Sequence, residues 1–208
     1  FLSDVATVKA FLNSAISIKK YSRQINPYII NVVGEWNSFE NEIKLNKVET
    51  ISFTKNINLY NNLPRYTFLK SRFSYFLISL ISVIKLYKFL STKKETDYII
   101  LHLITSLPLI LLLFFNFKCK FVLRISGFPK LTILRKFLWK LSSKKLHKVS
   151  TPTKDTMKML INQNIFQSNM ICLVRDPIIN ISKVNLKIRE KIFENLDDTK
   201  YIINVGRL

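Results

Sequence analysis

The sequence predicts an α/β fold: a parallel sheet with crossover helices on both faces. Three observations carry this. Short apolar runs such as "YIINVV" (28–33), "YIILHLI" (98–104) and "KFVLRI" (120–125) alternate with helical patterns of ten or more residues, the signature of βαβ units. The runs are continuously apolar rather than apolar at every second residue, as parallel strands buried on both faces are. The 208 residues suffice for one domain and a fraction of another.

Element by element, Asp4 is placed to cap a first helix with apolar positions Val5, Val8, Leu12, Ala15 and Ile16, close to 3.6 spacing. Pro27 ends that region, "YIINVV" is a strand, and "GEWNS" is a loop that opens at Gly34. A polar helix over 39–45 and a strand "VETISF" (48–53) follow, then a loop, "TKNINLYNNLPR", and a long helix over 66–90. "YIILHLI" is a strand, "TSLP" starts a helix, "KFVLRI" is a strand and "SGFPK" a loop. A basic helix over 131–145, a strand "KVSTP" (148–152), a helix over 153–162 and the strand and turn "MICLVRDP" (170–177) complete the alternation. A charged helix over 180–195 leads to a last strand, "YIINVGRL".

Asp97 to Lys118 poses the main alternative, because twenty uncharged residues lie between them. A membrane-spanning helix needs about 20 apolar residues. The segment holds "HLITSLP" near its middle, however, and Thr-Ser-x-Pro is helix-start chemistry, with Ser106 as N-cap and Pro108 just inside. The segment therefore divides into a strand of seven residues and a helix of about ten. The competing reading makes 73–90 and 98–117 two transmembrane spans of an integral membrane protein with no catalytic role, although Lys85 and Lys88 interrupt the first.

Lys and Arg number 33 against 13 Asp and Glu, a formal net charge of +20, and hydrophobic residues make up 48%. Mean hydropathy is +0.15. Such a cationic surplus suits nucleic acid, anionic lipid or phosphate-bearing ligands. The abundance of Lys, Asn, Ile and Phe also fits an AT-rich gene, a purely compositional source of charge. No helix-turn-helix, zinc finger or RNP-type aromatic strand is present, which argues against nucleic acid. Cys119 and Cys172 are isolated in apolar surroundings, and the two histidines, His102 and His147, form no metal-ligand spacing with them. Buried reduced thiols in a cytosolic protein without metal are expected. No secretory signal opens the chain. It starts without Met, in a helical pattern, and closes abruptly, which reads as a fragment cut at both ends.

In an open parallel sheet, ligands bind beyond the carboxyl ends of the strands. That rule selects Gly34, Glu35 and Trp36; His102, Thr105 and Ser106; Ser126 and Gly127; Thr151 and Thr153; and Gly206 with Arg207. A glycine at such a turn lets a ligand approach the backbone, and the following helix N-terminus favours anions. His102, at the end of a buried strand, either orients or deprotonates a hydroxyl or is a satisfied core histidine. Arg124 lies within an apolar strand, where an unpaired charge is costly, so it meets a carboxylate or a ligand phosphate.

From Tyr98 to Lys154 there are eleven Lys and Arg and no acidic residue. Within "PKLTILRKFLWKLSSKK", Leu131, Leu134, Leu138 and Leu141 share one face, while Arg135, Lys136, Trp139 and Lys140 lie away from it. The expectation is leucines against the sheet and a cationic, Trp-bearing face toward a membrane surface.

The order of "DYIILHLITSLPLILLL", "KFVLRISGFPKLTILRKFLWKL", "VSTPTKDTMKML" and "YIINVGRL" resembles glycosyltransferase family 4, most of all the bacterial enzymes that build surface polysaccharides such as O-antigen or capsule. The resemblance covers nearly the whole chain. It implies the N-terminal half of a GT-B fold: a Rossmann-like acceptor-side domain over 1–177, an interdomain linker helix over 178–198 and, over 199–208, the first strand of a truncated donor-binding domain. It implies sugar transfer from a nucleotide-sugar donor to a glycan or lipid-linked acceptor, without metal or other cofactor, in lipopolysaccharide or capsule synthesis. Gly206 and Arg207 would hold the donor diphosphate, His102 would line the acceptor side as the catalytic candidate, and Ser126 and Gly127 would face the crevice; Arg124 and Glu35, singled out by their own positions, are the further acceptor-side candidates. The implied location is cytoplasmic, peripheral at the anionic inner leaflet.

The chain departs from the family in two places. The Gly-Gly loop expected near "FLSDVAT" is absent, and Asp176 stands where Asn is usual before Pro177. The Lys after "GRL" and the paired glutamates of the donor domain would lie beyond Leu208, so the fragment alone is expected to be inactive. A Rossmann-like binding domain without transfer chemistry is the third reading.

Overall fold

The structure is a computed structural model that describes residues 6–54, 63, 68–102, 105–177, 184–186 and 188. It divides into two compact units, Phe1–Pro177 and Ile178–Leu208. In the second unit the described residues are helical at 184–186 and 188. The expected strand 201–208 and most of the expected helix 180–195 lie outside the described residues, as do Asp4, Val5 and most of the loop before the long helix.

The first unit alternates helix and strand. Helix α1 (Ala6–Tyr21), β1 (Tyr28–Asn31), α2 (Glu40–Leu45) and β2 (Glu49–Ser52) come first, with a 3-10 turn at Asn37–Phe39. Then follow α3 (Phe68–Ser91), β3 (Tyr98–Leu101), α4 (Ser106–Phe114), β4 (Lys120–Arg124) and α5 (Ile133–Ser142). Strand β5 (Lys148–Thr151), α6 (Lys154–Asn162) and β6 (Ile171–Leu173) close it.

Strands β3, β4, β5 and β6 form a four-stranded sheet in that order, parallel throughout. Each crossover helix from α4 to α6 joins a strand to its neighbour in the same direction, so right-handed connections put all three on one face. The register aligns Leu101 with Leu123, Leu123 with Val149 and Val149 with Ile171. These four form one buried row across the sheet, where each side chain contributes about 1.5–3 kcal/mol. Phe121, Leu109, Leu112, Trp139 and Leu160 complete the main core.

Strands β1 and β2 form a separate two-stranded parallel sheet, covered by Leu12 and Ala15 of α1 and Ile43 of α2. The expected single sheet is therefore in two pieces, and β1 is shorter than its apolar run. The local cause is Glu35. Its carboxylate accepts from the backbone N–H of Val32 at 2.9 and 3.0 Å and from that of Val33 at 2.8 Å, donors that a longer strand would give to a ladder. Asn31 Oδ1 also takes the Gly34 N–H at 2.9 Å, and Gly34 has φ 98°, where glycine carries no Cβ penalty.

The segment after Asp97 is a strand and a nine-residue helix. Helix α4 is only about 14 Å long, half of a hydrocarbon core of about 30 Å. Its N-cap is Thr105, not Ser106, and neither side chain closes a capping bond. Pro108 is the third helical residue, where its missing N–H is one the helix leaves unpaired in any case. Lys145 Nζ donates to the carbonyls of Leu113 and Phe115 at 3.1 and 3.3 Å, neutralising the negative end of α4. Among the described residues one helix, over Arg72–Ser91, is long and apolar enough to cross a membrane.

Helix α5 is rotated relative to the expected orientation. Trp139 is only 4% exposed and packs its ring 5.8 Å from that of Phe166, so the Trp predicted to face a membrane belongs to the core. Leu134 and Leu141, expected against the sheet, are 81% and 44% exposed. The large indole outweighs a leucine in buried area, and Leu138 follows it inward.

The hydroxyl of Thr151, at the end of β5, is fully buried and has no hydrogen-bond partner among the described residues. Removing such a group while keeping its shape relieves a desolvation cost. Thr151→Val is expected to leave the thermal midpoint unchanged or to raise it. A loss of more than about 1 kcal/mol in chemical denaturation would contradict this.

Candidate functional site

The carboxyl ends of β3 and β4 bring His102 and Ser126 together. His102 directly follows β3, and its Nε2 lies 3.0 Å from Ser126 Oγ. Register aligns Leu101 with Leu123, so the chain delivers both side chains to the same end of the sheet. Phe11 of α1 stacks on the imidazole, with ring centroids 5.1 Å apart and planes inclined by 8°. Trp36 lies 6.0 Å beyond Phe11, centroid to centroid. The loop after β1 is thus joined to His102 through a row of rings.

Burial lowers the His102 pKa to about 4, with the Arg124 guanidinium adding to the effect and Asp176 opposing it. At neutral pH the imidazole is uncharged, with one ring nitrogen free of a proton. A base that weak holds a proton poorly. It is suited to accept a hydrogen bond from, and so orient, a hydroxyl brought to the position of Ser126 Oγ.

Arg124 turns to Asp176. The two form an ion pair with side chains only 9% and 14% exposed, and Arg124 also donates to the Val174 carbonyl at 2.7 Å. The charge inside the apolar strand is therefore met by a carboxylate, which ties β4 to the turn after β6. Breaking such a buried pair from one side costs about 3–5 kcal/mol.

Glu35 is raised above the ordinary carboxylate range, chiefly by burial, while its hydrogen bonds to backbone amides act against the shift. Val32 engages both oxygens and Val33 one of them, so the carboxylate shapes the loop. Gly127 has φ 73°, with open space where a Cβ would stand; the backbone conformation, not crowding, calls for glycine. Arg135 donates to the Lys130 carbonyl at 2.7 Å and lies over the Trp139 ring at 6.0 Å, away from the His102 cluster in sequence and element. Lys136 and Lys140 are exposed on α5. Gly206 and Arg207 lie outside the described residues.

A separate cavity of about 290 Å³ lies beside β1 and β2, lined by Asn31, Trp36, Asn37, Lys44 and Ser52 among others. Cys119 is buried, Cys172 is half-buried and neither is in a disulfide. Among the described residues no group of three or more His, Cys, Asp or Glu is placed to hold a metal ion.

Two partners were not read from the sequence. Phe11 lies one residue before the apolar position Leu12, and nothing in helical spacing marks it as a lid on a histidine. Asp176 was visible as an unusual residue before Pro177, without indicating that Arg124 pairs with it.

The fold is α/β with a four-stranded parallel sheet flanked by helices, an arrangement compatible with a Rossmann-like fold. No family model, no curated protein and no solved structure matches the chain.

Two outcomes follow from these contacts. Glu35→Ala leaves the Val32 and Val33 amides without their acceptor, and is expected to cost about 1–3 kcal/mol in urea denaturation; an unchanged midpoint would contradict the assignment. For His102, the folded value of about 4 lies below the ordinary 6.5, so the unfolded chain binds a proton that the native one refuses. Stability is then full above 6.5 and falls as pH drops toward 4. His102→Gln should flatten that limb of the stability curve, and an unaltered slope would refute it.

Proposed function

We propose that this chain is the acceptor-side part of a glycosyltransferase of the GT-B type, which moves a sugar from a nucleotide sugar to a glycan or lipid-linked acceptor in cell-surface polysaccharide synthesis. The observation that carries this reading is the neutral His102 paired with Ser126 at the carboxyl ends of parallel strands, where open α/β sheets bind ligands. The ordered motifs of the sequence support it, since they resemble those of family 4 enzymes in the same succession. In this reading His102 and Ser126 hold the acceptor hydroxyl, and Gly127 keeps the loop beside it clear of side-chain atoms.

The donor side rests on Gly206 and Arg207. In this reading the arginine stabilises the diphosphate that leaves as the sugar is transferred, and the glycine lets the phosphates approach the backbone. That chemistry needs cationic donors placed where charge develops, and the chain is rich in them. Arg124 serves the fold through Asp176 and is not assigned to phosphate.

The test is an assay for acceptor-dependent release of nucleoside diphosphate. The 208-residue chain and the complete gene product are each incubated with a panel of uridine- and guanosine-diphosphate sugars and a short-chain prenyl-pyrophosphate glycan. The complete product is expected to release nucleotide with at least one donor. Arg207→Ala should lower kcat by about 100-fold or more. His102→Ala should mainly raise KM for the acceptor, by about 10-fold or more. If no donor supports acceptor-dependent release, the transferase reading is wrong.

A further inference from the structure

The outer layer formed by α3, α4 and α5 carries large apolar side chains on the solvent side as well as in the core. On α5 the stripe is Ile133, Leu134, Phe137 and Leu141, with Ile133 at 87% and Phe137 at 62% exposed. Those positions fall on one side of a 3.6-residue helix, opposite Trp139 and Ser142, which are buried. Helix α3 is apolar on both sides: Ile78, Leu86 and Leu90 are buried, and the solvent side is apolar as well. Phe73, Phe76, Leu80, Ile84 and Tyr87 are exposed, whereas Ser74 and Ser82 are buried at 0% and 2%. Ser82 satisfies itself by donating to the Ile78 carbonyl at 2.6 Å. An ordinary surface helix is polar on its solvent side.

The two stripes belong to one layer. Helix α4 packs against both α3 and α5, and it adds exposed Ile110 and Phe114. Tyr87 of α3 meets Phe115, just past α4, with ring centroids 4.6 Å apart. Exposed apolar residues scattered singly need no explanation; a contiguous face of this kind marks an interaction surface.

Charge identifies the occupant. Exposed Lys88 on α3 and Lys136, Lys140 and Lys144 at α5 stand among or beside these stripes. Between Thr50 and Lys154 the only acidic residues are Glu95 and Asp97, which lie in the approach to β3. Helices α3, α4 and α5 contain none. An apolar face with a purely cationic border is complementary to a bilayer of anionic phospholipid: the side chains enter the acyl boundary and the ammonium groups reach the phosphates.

We propose that the α3–α4–α5 layer is a monotopic docking face that seats this chain on anionic membranes, with Ile133, Leu134 and Phe137 as its deepest anchors. This docking does not depend on the transfer reaction. It also differs from the electrostatic contact expected from the sequence, because Trp139 takes no part in it and apolar insertion carries the binding. The anchors lie near the start of α5, a few residues beyond the loop of Ser126 and Gly127.

The experiment is flotation of the full chain with vesicles of phosphatidylcholine alone and of phosphatidylcholine mixed with phosphatidylglycerol, at low and high salt. The expected result is flotation with the anionic vesicles that weakens with salt without vanishing. Leu134→Asp with Phe137→Asp should reduce the floated fraction about tenfold or more. Phe76→Asp with Ile84→Asp, on the other helix, should reduce it too. All four positions are exposed, so circular dichroism and the melting temperature should match the parent.

Lys136→Glu with Lys140→Glu should lose binding chiefly at low salt. Three results would overturn the proposal: a parent chain that stays in the soluble fraction with anionic vesicles, folded variants that float as well as the parent, or equal flotation with pure phosphatidylcholine. Retention in the bilayer after alkaline carbonate extraction would overturn it as well, in favour of a spanning α3. A stable dimer that loses vesicle binding would instead assign the face to a second copy of the chain.

Discussion

The register of β3 against β4 is the constraint on which the rest of the first unit depends. Pairing Leu101 with Leu123, and Leu123 with Val149, places a buried apolar row under the crossover helices. It also places His102 and Ser126 within hydrogen-bond distance at the strand ends. A slip of one residue would turn every side chain of β3 to the opposite face, exposing Leu101 and removing His102 from Ser126 together. Core and site are therefore specified by the same ladder. The Arg124–Asp176 pair reinforces it from the other side, joining β4 to the turn after β6. A change in either residue will reach His102 electrostatically, since both charges act on the imidazole.

Much of the fold was legible because its signals are local. The apolar runs at 98–101, 120–124 and 148–151 became strands, and the helices between them fell within a few residues of their periodic patterns. The division of 98–117 into strand and helix was readable from Thr105, Ser106 and Pro108, although the cap itself moved by one residue. What escaped the sequence depends on contacts across the chain. Strand β1 stops at Asn31 because Glu35 captures the next two amides, which a count of apolar residues does not register. Helix α5 offered its leucine face or the side of Trp139 to the core, and only packing against Phe166 decides between them.

The site was legible in outline and not in partnership. The strand-end rule selected His102, Ser126 and Gly127 without any knowledge of the others, and the first two meet. The same rule selected Glu35, whose carboxylate is occupied by backbone amides. The neutral state of His102 was not readable, because it arises from burial and from Arg124, 22 positions away along the chain. The apolar outer layer went unread for a related reason. Helical periodicity reports that a stripe exists, not which side it faces, and both α3 and α5 carry a second apolar stripe on the solvent side besides the residues they bury, where a surface helix is ordinarily polar.

The most direct test of the central claim is nitrogen-15 NMR of the two histidines during titration with a soluble short-chain prenyl-pyrophosphate glycan. His147 is exposed, with its ring edge-on to Tyr98 at 5.7 Å, and serves as an internal control. If the strand ends of β3 and β4 receive the acceptor, the His102 ring resonances will shift saturably as Ser126 is displaced, while those of His147 stay in place. If His102 is unmoved at saturation, or both histidines shift alike, the acceptor does not bind there and the account of this site is wrong.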